Sequence, residues 1–91
     1  MKQDNFEARK GEVHDVCLQY IDGVATKEAV KVAFNAYCDV NGAHARGSRE
    51  SIIGWREIVA GAVVIDCLHA LDVEQANNLE AVLKEIAREW N

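Results

Sequence analysis

The amino-acid sequence predicts an all-α fold, a compact bundle of four helices with a long central third helix that pairs into a homodimer. Three observations lead there. No stretch alternates with a period of two long enough to make a sheet, and apolar residues recur at three- and four-residue steps along most of the chain. Short turns containing Asp, Asn or Gly divide it into four segments. With 91 residues, 49% of them hydrophobic, 27% charged and no proline, the composition is that of a globular protein, and residues 1–91 are expected to make a single helical domain.

The first segment opens at Asp4, whose carboxylate suits the free amides of a first turn, with Glu7 three residues on to complete a capping box. Phe6, Val13, Val16, Cys17, Tyr20 and Ile21 follow at helical spacing until Asp22-Gly23 closes the segment. Gly11 weakens its middle by roughly 1 kcal/mol relative to alanine. Thr26 caps the second helix, whose apolar stripe is Val30, Ala33, Phe34, Tyr37 and Val40 and whose left-handed end is expected at Asn41-Gly42.

Ser48 is the natural cap of the third helix, which is expected to run to about Leu71, roughly 35 Å at 1.5 Å per residue. Its middle, Ile58 to Ile65, is apolar on every side and has to be covered all round, which makes it the expected central helix. Asp72 and Gln75 form the capping box of the fourth helix, where Ala76, Leu79, Leu83, Ile86 and Trp90 make the clearest amphipathic stripe and Glu80 faces Lys84 one turn on.

A bundle of this size covers a central helix on two sides only. Gly54, Ile58, Gly61 and Ile65 fall close together on a helical wheel, and the glycines would admit another helix closely, so this face is the candidate dimer interface. Small domains often supplement a limited core in this way.

Charge and cysteine usage narrow the function classes. Ten basic against fifteen acidic residues leave a net charge of −5, which disfavours nucleic acid and membrane surfaces as primary partners. The start, Met1-Lys2-Gln3-Asp4-Asn5, carries charge where a secretory signal would be apolar, and no apolar run is long enough to span a bilayer, so a cytoplasmic location is expected. The odd cysteine count, Cys17, Cys38 and Cys67, fits a reducing compartment.

Chemistry-bearing groups are thin. His14 and Cys17 share one helical face and Cys67 lies two residues before His69, yet neither CxxC nor HxxxH occurs, so no metal site and no cofactor are expected. Asp66 and His69 are the polar pair expected to be partly buried on the third helix, where such pairs satisfy each other more often than they react. No catalytic residue is assigned. The loop through His44, Arg46, Ser48 and Arg49 is locally basic and precedes a helix N-terminus, which makes it a candidate site for an anion or for a partner's carboxylates. It lacks the GxxxxGK[ST] spacing of a phosphate loop. Nor does it match the phosphotransfer histidine domains, in which a basic residue follows the histidine by three, whereas Arg46 follows His44 by two.

Glu74, Glu80, Glu85 and Glu89 put acid on the fourth helix, which argues against its use as a DNA-recognition helix and suggests a face for a basic protein partner such as a nucleic-acid-binding regulator or nuclease. The expected function is therefore that of a non-enzymatic, protein-binding regulator, an inhibitor or antirepressor of bacterial or phage kind. The alternative is a small anion- or nucleotide-binding domain built on the Arg46 loop.

Overall fold

In a computed structural model the described residues form four helices, α1 (Lys2–Ile21), α2 (Lys27–Val40), α3 (Arg49–Cys67) and α4 (Val73–Arg88), with a 3-10 turn at Leu68–Ala70. The structure describes residues 2–41 and 47–89, with side chains from residue 5 onward. No strand occurs among the described residues.

Helix starts follow side-chain caps. Thr26 Oγ1 accepts the amide of Ala29 at 3.1 Å, and Ser48 Oγ accepts that of Ser51 at 3.2 Å. Before α4, Asp72 Oδ1 accepts the Gln75 amide at 2.8 Å while Gln75 Oε1 accepts the Asp72 amide at 3.0 Å, a complete capping box. The first helix differs from expectation. It begins at Lys2, ahead of Asp4, because nothing between Lys2 and Asn5 breaks a helix. It also passes through Gly11 without interruption.

The turn after α1 uses Gly23 at φ 81°, a left-handed backbone that glycine adopts without steric cost. At the end of α2, Asn41 has φ −91° instead of a left-handed value, and its side-chain amide donates back to the Tyr37 carbonyl at 2.8 Å. Gly42 and Trp90 lie outside the described residues.

The helices pack as two antiparallel pairs, α1 on α2 and α3 on α4. Phe6 meets Tyr37 with ring centroids 5.7 Å apart, tying the start of α1 to the end of α2. Between the pairs lies a core in which Val13 and Cys17 from α1, Phe34 from α2, Val63 from α3 and Leu83 and Ile86 from α4 are all buried. Burying side chains of this kind contributes roughly 1.5–3 kcal/mol each, which is how short amphipathic helices hold together.

This arrangement corrects the placement of the third helix. It is not central: α1, at 20 residues, is longer than α3, at 19, and α3 packs chiefly on α4 alone. Only Arg56, Val59, Ala60, Val63, Val64 and Cys67 of α3 are buried. The other side of this helix, whose stretch from Ile58 to Ile65 is apolar all round, faces water at Ile58 and Ile65.

Candidate functional site

At 3.6 residues per turn, the buried side of α3 is centred near Arg56, Val63 and Cys67, and the side directly opposite is centred near Ile58 and Ile65. Ile58 is 64% exposed and Ile65 67%, with Trp55 at 43% and Leu68 at 47% on the flanks. Gly54 and Gly61 lie in the same stripe, and a Cβ placed on either would meet nothing within 4 Å. The four residues of the sequence-predicted interface thus share one outward face of α3. No charged side chain interrupts it from Ser51 to Ile65; Glu50, Glu57 and Asp66 stand at its margins. Large contiguous apolar faces of this sort mark interaction sites on soluble proteins.

Opposite this face, the polar contacts of α3 fix its orientation. Arg56 is 2% exposed. Its Nε donates to the Ala87 carbonyl at 3.1 Å, and one Nη donates to the Ile86 carbonyl at 3.2 Å and to Asn35 Oδ1 at 2.6 Å. The guanidinium also lies 5.5 Å from the centre of the Phe34 ring. Burial lowers the Arg56 pKa, with Cys38 and Asp39 acting in the opposite sense. A cation placed on the last carbonyls of α4 sits at the negative end of that helix, where the Ile86 carbonyl also accepts the Glu89 amide at 3.2 Å. Sequence reasoning missed this residue, because an arginine followed by a glutamate reads as surface. At the rim Arg88 Nε donates to Glu57 at 2.8 Å, so α3 is held to α4 at two adjacent points.

The histidines and thiols are arranged differently from expectation. Asp66 and His69 do not bond through their side chains: His69 Nδ1 is 3.1 Å from the Asp66 backbone carbonyl, and both residues are exposed. The Asp66 carboxylate turns instead to α1, with Oδ2 3.3 Å from Nε2 of His14, a buried atom that has no hydrogen-bond partner among the described residues. Helical periodicity carries no sign of that contact, which joins residues distant in the chain.

All three cysteines are free and buried. Burial, with the neighbouring Cys67, pushes the Cys17 thiol up to about 12. Burial likewise pushes Cys38 up to about 12, against the opposing pull of Arg56 and with a further push from Asp39. Cys67 is raised by burial, then by Asp66 and Asp15. Nucleophilic and metal-binding cysteines act as thiolates, whereas these stay protonated at neutral pH and pack as small hydrophobes. Among the described residues no three His, Cys, Asp or Glu side chains are grouped to hold a metal ion.

The candidate acidic face divides. Glu74 and Glu85 share one solvent side of α4, while Glu80 lies about a third of a turn away. Glu80 pairs with Lys84 at 3.3 Å, and Glu85 pairs with Lys27 of α2, whose ammonium it holds above the usual lysine pKa chiefly through that hydrogen bond. Glu89 is the exposed cap residue at the end of α4. Of the basic loop, Ser48 is occupied as a helix cap and Arg49 is exposed; His44 and Arg46 lie outside the described residues. No helix of the described residues is long and apolar enough to cross a membrane. The chain matches no protein-family model, no curated protein and no solved structure.

Proposed function

We propose that this chain is a small non-enzymatic regulator that works by binding protein. One observation supports it above the others: the uncharged apolar face of α3, with Ile58 and Ile65 about two-thirds exposed. Leaving two isoleucines and a tryptophan of α3, with Leu68 just beyond its end, in water on one face forgoes burial energy that the fold could have used, and the gain is recovered when another protein covers them. The protonated, buried thiols agree with a binding role in place of nucleophilic chemistry.

The net charge of −5 favours a basic partner, and exposed acid such as Glu74 and Glu89 on α4 would steer the encounter. An inhibitor or antirepressor covering a basic nucleic-acid-reading surface fits this chemistry. The test is capture from bacterial lysate on immobilised protein, with the recovered species identified and the experiment repeated on Ile58→Glu, Ile65→Glu and Glu74→Lys. The proposal expects one stoichiometric protein that is lost with at least one of these variants and released by salt. Indiscriminate recovery, equal for wild type and all three variants, would overturn it.

A further inference from the structure

We infer that the outward face of α3 is covered by α3 of a second copy of this chain, antiparallel, about a two-fold axis level with the peptide joining Val59 and Ala60. This rests on the protein-binding reading of the same face and names its occupant.

The argument is one of register. Along the stripe the residues run Ser51, Gly54, Ile58, Gly61, Ile65, Leu68, so that small and large alternate from Gly54 to Ile65. In a helix pair, side chains spaced three and four apart meet in layers. Antiparallel pairing about the stated axis sets Ile58 over Gly61 of the second copy, Ile65 over its Gly54 and Leu68 over its Ser51, with each layer occurring twice by symmetry. Every large side chain then meets a small one. On the flank, Trp55 lies beside Ala62 of the second copy. Parallel pairing would stack isoleucine on isoleucine and glycine on glycine, leaving crowded layers between empty ones.

Both halves of this fit are present in the isolated chain. Ile58 and Ile65 project into water, and the space over Gly54 and Gly61 is open to 4 Å. A foreign helix needs either ridges or seats on this surface, whereas a two-fold interface presents both on one patch, since the patch must complement itself. The area is also sufficient. The four large side chains leave roughly 100 Å² each in water, so two copies bury about 1,000 Å² once the small residues between them are counted, the size at which a specific interface begins. Finally, the seam is neutral. Two chains of net charge −5 meet along a stripe free of charge from Ser51 to Ile65, and the nearby Glu57 is already held by Arg88.

The test uses the full chain. Light scattering should give a dimer, and Ile58→Glu or Gly61→Leu should weaken it on the order of 100-fold with an unchanged helical circular-dichroism spectrum. Ile58 is 64% exposed and a Cβ at Gly61 meets nothing within 4 Å, so both changes leave the buried core in place. Orientation is read by mixing Gly54→Cys copies with Ile65→Cys copies under mild oxidation: a disulfide-linked pair should form in the mixture and in neither variant alone. A monomer at the highest soluble concentration overturns the inference, and so does self-linking of Gly54→Cys, which would mean parallel pairing. If the wild type is monomeric and Ile58→Glu nevertheless loses a captured protein, the binding role of the face survives with another occupant and the self-pairing does not.

Discussion

Arg56 on α3 donates through its Nε to the backbone carbonyl of Ala87, 3.1 Å away in the last turn of α4. Among the described residues no carboxylate bonds this buried cation, and Asp39 acts on it only through its charge. Its positive charge is met by the negative end of a helix, by the amide oxygen of Asn35 and by the face of Phe34. The energetic logic is that of any buried charge: removing water is tolerated when donors find acceptors, as the Nε and one Nη of Arg56 do.

Replacing Arg56 therefore has an asymmetric effect. Arg56→Ala leaves the Ala87 and Ile86 carbonyls without their side-chain donor and opens a cavity beside Phe34, so the loss should be about 2–4 kcal/mol. Arg56→Met fills most of the volume and should lose less, which urea unfolding at neutral pH will separate. Equal stability of Arg56→Ala and wild type would mean that water replaces the guanidinium without cost.

The same residue shows where sequence reading stops. Local signals were legible: Thr26, Ser48 and the Asp72–Gln75 box each start a helix as their side chains dictate, because a cap is a contact between residues three apart. The apolar stripes of α2 and α4 were legible for the same reason, with Phe34, Leu79, Leu83 and Ile86 all buried. The partner of Arg56 lies 31 residues away, and that of the His14 ring is on another helix; periodicity carries no information about such pairs. The third helix misled because an all-apolar segment looks as though it must be enclosed. Its outward stripe was nevertheless identifiable, since Gly54, Ile58, Gly61 and Ile65 share a face whichever neighbour α3 takes.

Two glycines should respond oppositely to alanine. Gly11 sits inside α1, where a Cβ meets nothing within 4 Å, so Gly11→Ala should stabilise by about 0.5–1 kcal/mol through reduced freedom of the unfolded chain. Gly23 has equal space but φ 81°, so Gly23→Ala should destabilise by about 1 kcal/mol. Paired thermal melts check both, and a shift of the same sign in the two variants would contradict this account of the α1–α2 turn.

The capping box before α4 gives a third expectation. Asp72→Ala removes the acceptor for the Gln75 amide and should lower stability by about 1 kcal/mol, whereas Asp72→Asn keeps an acceptor and should lose only part of that. Hydrogen exchange at the Gln75 amide should quicken in the alanine variant first. If the box is dispensable, exchange there will match the wild type.

The buried thiols set a pH dependence whose sign follows from linkage. Cys17 and Cys38 are held up to about 12, while an unfolded-chain thiol titrates near pH 8.5. Between these values the unfolded state has released protons that the folded state still binds, so stability is complete below about pH 8.5 and falls as pH rises through the window. Each thiol contributes up to about 1.4 kcal/mol per pH unit there. Unfolding free energies measured at pH 8 and pH 10 should therefore differ, with the alkaline value lower. Replacing both residues, Cys17→Ala with Cys38→Ala, costs packing at pH 8 but removes their share of the alkaline loss, because alanine carries no proton to release. A slope unchanged by the double replacement would assign the alkaline loss to tyrosine and lysine titration and would mean that neither thiol is as well shielded as its burial implies.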